Sequence, residues 1–173
     1  MAAQLETNEP LARRLRQRVE DLDVAIRRIR TSIYALRGDV LGRGAGVRQS
    51  ILTVVGAVAP ALGFAPSVSF AGLLDIQLPE DLTNDVTAVV RETLTNVAKH
   101  AHASSAALDV KIIDDRLTVT VSDDGDGVVG SPRASGIDNL RVRAARHGGS
   151  FSLAPAPGGG SIATWMARTP PRS

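Results

Sequence analysis

From Leu15 the apolar residues fall at Leu15, Val19, Leu22, Ile26, Ile29, Ile33 and Leu36, in alternating steps of four and three. That spacing predicts one helix with a narrow apolar seam. Its other faces carry mostly Arg, Asp and Gln, so the seam calls for a partner helix rather than a distant globular core. Gly38–Gly46, GDVLGRGAG, holds four glycines and breaks the repeat, which predicts a linker. The chain thus divides into an N-terminal helical segment, 1–43, and a second domain, 44–173.

Beyond the linker the period changes. Val47–Ala59 reads as a helix closed by Pro60, Ser67–Ala71 as a short strand, and Leu82–Ala101 as a long helix entered through Pro79-Glu80-Asp81. Two alternating runs, Ala107–Ile113 and Leu117–Val121, joined by Asp114-Asp115-Arg116, predict a hairpin. The glycine-rich stretch DDGDGVVG precedes a helix at Ile137–His147, and strands at Ser150–Ala154 and Ile162–Ala167 flank the turn PAPGGG. Helices interspersed with hairpins argue for a mixed sheet with helices on one face.

Composition narrows the chemistry. With 173 residues and 43% hydrophobic content the chain can bury a core, and no apolar run approaches a membrane span. The start MAAQLETNEP lacks the order of a signal peptide, so a cytoplasmic location is expected. The absence of Cys removes disulfides, thiolate metal sites and cysteine nucleophiles, and His100, His102 and His147 alone do not make a zinc centre. Net charge is +2, but the excess sits in residues 1–43, with nine Arg against six acids; residues 44–173 carry eleven Lys and Arg against twelve acids. Aromatic content of 3% offers no stacking platform, so nucleic acid is not an expected partner.

Four features carry candidate chemistry. On the long helix, Glu92, Asn96 and either Lys99 or His100 share one face, beside a core stripe of Val86, Val89, Val90, Leu94 and Val97. For a helix taken in isolation that face reads more readily as a solvated polar surface, although a mid-helix Asn wants a reason, and its amide oxygen suits Mg²⁺. Next, Asp123-Asp124-Gly125-Asp126-Gly127 follows a strand: its glycines allow a sharp turn close to a ligand, and its carboxylate can accept a bond from an exocyclic amine. The alternatives are an acidic hairpin loop or a calcium loop, the latter without its closing Glu. Gly136 opens a helix that also carries Arg141, Arg143 and Arg146, offering free N–H groups to an anion. Finally, Gly158-Gly159-Gly160-Ser161 precedes the last strand.

In that order the four features resemble the ATP-binding domain of the GHKL superfamily, which joins sensor histidine kinases with gyrase, MutL-type repair ATPases and the ninety-kilodalton heat-shock chaperones. RETLTNVAKHAHAS looks like the N box of histidine kinases that partner LuxR-type response regulators, and DLDVAIRRIRTSIYAL like the second helix of their dimerisation and phosphoacceptor domain. Within that subfamily the chain is most similar to actinobacterial redox or hypoxia sensors with GAF input domains. The resemblance implies an α/β fold, an α+β two-layer sandwich of the Bergerat type with a mixed sheet, preceded by one helix of a dimerisation four-helix bundle. It implies ATP and Mg²⁺ as cofactors, Asp123 as the carboxylate on the adenine amino group, and Gly125 and Gly127 as the pocket floor. It further implies Asn96 as the Mg²⁺ ligand, Glu92 as the carboxylate acting on the attacking group, and Lys99 and His100 beside the phosphates. Gly136 matches the lid-end box, and Gly158, Gly160 and Ser161 the last glycine box; Asp124 and Asp126 fill variable positions.

The same resemblance implies a protein-histidine kinase, homodimeric at full length, that passes phosphate through a histidine to a LuxR-type response regulator. The competing classes are another GHKL ATPase, an anti-sigma serine kinase, or a non-catalytic nucleotide-binding or dimerisation module. Three departures stand out. Ala134 replaces the first glycine of the lid-end box, and only Val128–Ala134 separates the two boxes, a very short lid that departs from the wider superfamily but fits the subfamily. No histidine precedes His100, so the acceptor histidine and its helix are expected to lie outside this chain, with His102 and His147 as surface residues.

Overall fold

A computed structural model describes residues 46–74, 78–127 and 134–170. The predicted heptad helix, most of the linker and nearly all of the short lid lie outside the described residues. The described elements are α1 (Val47–Leu62), β1 (Ser67–Ala71), α2 (Glu80–His100), β2 (Ala106–Ile113), β3 (Arg116–Asp123), α3 (Ala134–Arg146), β4 (Ser150–Pro155) and β5 (Ser161–Arg168). No helix among them is long and apolar enough to cross a membrane.

The strands form one mixed sheet in the order β1-β2-β3-β5-β4. β1 runs parallel to β2, with α2 as the crossover, and every other pair is antiparallel. Alternation along β3 buries Leu117, Val119 and Val121 and turns Arg116, Thr118 and Thr120 to the other face. On the buried side these residues join Leu108, Val110, Trp165 and Ala167 beneath α1 and α2. α1 contributes Val47, Ile51, Val54, Val55 and Val58, and α2 contributes Leu82, Val86, Val89, Val90, Leu94 and Val97, each a helical stripe. This is the expected mixed sheet with its helices on one face.

Several boundaries depart from the sequence reading. Pro60 does not close α1; the helix runs on to Leu62 and ends at Gly63, whose left-handed φ of 78° lets its N–H reach Ala59 O at 3.1 Å. Proline deprives only the Gly56 carbonyl of a partner, and Gly56 is exposed to water. The β2–β3 turn is Asp114-Asp115 alone, because Arg116 already pairs with Ile113; Asp114 takes φ 55°, which Asp tolerates better than most residues. α2 begins at Glu80, so Glu80 and Asp81 lie in its first turn and Lys99 and His100 in its last, each complementing the helix dipole.

α3 is anchored by an ionic cluster that corrects the surface reading of His147. Asp85, on the buried stripe of α2, accepts bonds from Arg143 Nη1 and from His147 Nε2, the latter at 2.9 Å. The side chains of Asp85 and His147 are 10% and 12% exposed. The His147 ring meets Trp165 edge to face at 6.4 Å, and Trp165 Nε1 donates to Leu140 O at 3.2 Å. Burial works to raise the Asp85 carboxyl, but the hydrogen bonds from His147 and Arg143, with the Arg143 charge, hold it below its ordinary 3.8.

Two outcomes are expected. Truncating fully buried Leu94 to Ala removes about 2–5 kcal/mol of stability, whereas Val142→Ala, at a 52% exposed position, changes it by about 0.5 kcal/mol or less. Denaturant titration followed by the single tryptophan reads both. The Asp85 contribution is complete above its ordinary carboxylate value and is lost as pH falls through the depressed one. The native chain therefore loses more stability than Asp85→Asn between about pH 5 and about pH 2 in urea titrations.

Candidate functional site

The site lies where the C-terminal half of α2, the end of β3, the start of β5 and the first turn of α3 meet. The valine stripe that seats α2 on the sheet fixes its azimuth, and Glu92 and Asn96, one turn apart, fall half-buried at the border of that stripe. Gly136 sits in the first turn of α3 rather than opening it, since the helix begins at Ala134. A Cβ on Gly136 would stand 2.6 Å from Glu92 Oε1, so the glycine leaves room for that carboxylate. Lys99 and His100 are exposed in the last turn of α2.

Asp123 ends β3 and is 7% exposed. Its Oδ1 accepts from the Gly125 amide at 3.0 Å, and its Oδ2 accepts from Ser161 Oγ at 2.5 Å, across from β5. Two glycines make this closeness possible. A Cβ at Gly125 would run into the carbonyl of Ala101, the residue that ends α2; a Cβ at Gly160, which has φ 82°, would overlap the carbonyl of Asp123 itself. Gly127 faces the carbonyl of Gly160. Asp123, Gly125, Gly127, Gly160 and Ser161 thus form one compact group, although they come from two motifs. Gly158 stands apart, exposed with open space around it, and nothing in the packing explains its identity.

The loop is pinned to the end of α2 by the two aspartates to which the sequence assigns no role. Asp124 accepts from Ser104 Oγ at 2.6 Å, from the Ser105 amide at 2.8 Å, from Ser105 Oγ at 2.9 Å and from the Ser104 amide at 2.8 Å. The Ser104 hydroxyl leads these donors in holding the Asp124 carboxyl well below the usual carboxylate range. Asp126 donates its amide to Ala101 O at 2.8 Å and carries its carboxylate 2.8 Å from His102 Nδ1. Neither residue is marked by periodicity, and the serines that Asp124 bonds lie 19 and 20 positions away, so no local signal singles the pair out.

The residues fit a purine nucleotide. An ionised carboxylate offers about four acceptor sites, and Asp123 uses one on each oxygen, leaving capacity for an amine donor. For a divalent cation the fit is partial: among the described residues no cluster of three or more His, Asp or Glu can hold one. Asn96, with Glu92 one turn away, would complete a Mg²⁺ shell made mostly of phosphate and water oxygens.

No family model matches the chain. It is 31% identical over 91 residues, 53% of its length, to the Bacillus subtilis sensor histidine kinase YxjM. It is 26% identical over 147 residues, 83% of its length, to the Mycobacterium tuberculosis sensor histidine kinase NarS. The chain spans only 22% of the first protein and 33% of the second. Among solved structures, the ATP-binding domain of PrrB from Mycobacterium tuberculosis superposes with a TM-score of 0.54 at 19% identity, covering 72% of this chain and 95% of that one. The chain is therefore homologous to sensor histidine kinases, and its described domain has the fold of their ATP-binding domains.

Proposed function

We propose that this chain binds Mg·ATP and serves as the catalytic ATP-binding domain of a two-component sensor histidine kinase. One observation carries the reading: a buried carboxylate, Asp123, that accepts one bond on each oxygen, from the Gly125 amide and from Ser161, and keeps acceptor capacity for a further donor. Homology to sensor histidine kinases supports it.

In this reading Asp123 accepts the adenine amino group, which a guanine cannot supply at that position. Gly125, Gly127 and Gly160 let the backbone close around that carboxylate, and Ser161 keeps it oriented. Asn96 holds Mg²⁺, which when bound neutralises phosphate charge. Lys99 and His100, exposed on α2, meet the phosphates, as do the backbone N–H groups at the start of α3 near Gly136. Glu92 acts on the attacking group: its carboxylate takes the proton from, or orients, the imidazole of the acceptor.

All three histidines of this chain are at or beyond position 100, so we assign the acceptor to a separate segment, brought close by pairing of helices in a homodimer. The phosphohistidine then supplies a response regulator, of the LuxR type on the N-box resemblance. Such a reaction belongs to the cytoplasm, where ATP is.

Calorimetry on the native chain should show Mg·ATP binding with GTP far weaker. Asp123→Asn, which presents an amide in place of an acceptor, should weaken ATP and ADP alike by about 10- to 100-fold, the worth of a charge-assisted hydrogen bond. Equal affinity for ATP and GTP would remove the assignment. Asn96→Ala should lose about tenfold or more in the presence of Mg²⁺ and little in EDTA, since its oxygen acts through the metal. With a separate acceptor-histidine helix supplied, Glu92→Gln should suppress transfer more than nucleotide binding.

A further inference from the structure

Among the described residues, α2 and α3 meet at two polar points. At one, Glu92 faces Gly136; at the other, Asp85 meets Arg143 and His147. Asp85 and Glu92 are seven residues apart, and so are Gly136 and Arg143. Seven residues are two helical turns, about 10 Å of rise, so the two helices run antiparallel along a seam whose contact points are equally spaced on both.

The two helices are held very differently. α2 is locked by a long buried stripe, whereas among the described side chains of α3 only Leu140 and Ala144 are buried. One leucine and one alanine can keep a helix on a sheet without fixing its rotation or its position along its axis. A carboxylate that accepts from two different side chains one turn apart fixes both. Because the Asp85 and His147 side chains are largely shielded from water, losing a bond to the Asp85 carboxylate costs more than the loss of an exposed pair.

We propose that Asp85, Arg143 and His147 are positioning residues: they set α3 on α2 so that the first turn of α3, at Gly136, stays over the Glu92 carboxylate, where the phosphate end of the nucleotide lies. This rests on the ATP-binding reading above. The adenine end, at Asp123 and Ser161, hangs on β3, β5 and the end of α2, outside the seam. The cluster therefore acts on one end of the ligand only. A purely structural cluster would weaken both ends together, or change thermal stability alone.

The test compares Asp85→Asn and Arg143→Gln with the native chain, using ATP with Mg²⁺ by calorimetry and adenosine by ligand-observed NMR titration. ATP affinity should fall about tenfold in both variants while adenosine affinity stays within about twofold, and amide exchange should quicken in α3 but not in α2. Arg143, with a 36% exposed side chain, is the milder site and carries the test if Asp85→Asn does not fold. Unchanged ATP affinity in a folded variant, or equal loss of ATP and adenosine, overturns the proposal and leaves the ATP reading standing. A native chain that binds neither ligand overturns the ATP reading itself, and this proposal with it.

Discussion

Everything near the site depends on one helix serving two surfaces. The stripe from Leu82 to Val97 packs α2 onto Leu108, Val110, Leu117, Val119 and Val121, and that burial determines how the helix is rotated. Once it is seated, Glu92 and Asn96 have no choice of direction: they stand at the edge of the stripe, and Glu92 faces Gly136 in the first turn of α3. The carboxylate and the amide are thus positioned by the apolar residues beside them and need no polar scaffold of their own.

The second constraint is close approach of backbones. β3 and β5 are paired through Ser122↔Ile162, and just past that pair their loops come together without room for a side chain at Gly160, while Gly125 leaves none against the Ala101 carbonyl at the end of α2. Ser161 then reaches Asp123 from the neighbouring strand, and the Asp124 bonds to Ser104 and Ser105 tie the same loop to the residues following α2. The buried carboxylate is held from the sheet and the loop is held from the helix.

How much of this was legible in sequence follows from the range of the interactions. The α2 stripe, the β2–β3 hairpin and the closing strands are written in local periods, and the structure has them within a few residues. The order of the DDGDG and GGGS stretches supported a family resemblance but not their contact, because no local pattern joins Asp123 to Ser161 across 38 positions. Asp85 carried a visible signal, a charge at a core position of an otherwise apolar stripe. Its partners, 58 and 62 residues away, carried none, so His147 looked like a surface residue. Pro60 misled for a related reason: proline removes one bond locally, whereas where α1 ends is decided by the left-handed cap at Gly63.

The central claim is that the Asp123 carboxylate reads an adenine while α2 and the start of α3 hold the phosphates. A crystal structure of this chain grown with Mg²⁺ and a non-hydrolysable ATP analogue tests it most directly. The account predicts the adenine amino group within hydrogen-bonding distance of Asp123, with the phosphates and metal between Asn96 and Gly136. A nucleotide bound elsewhere on the domain, or bound with its base away from Asp123, would contradict it.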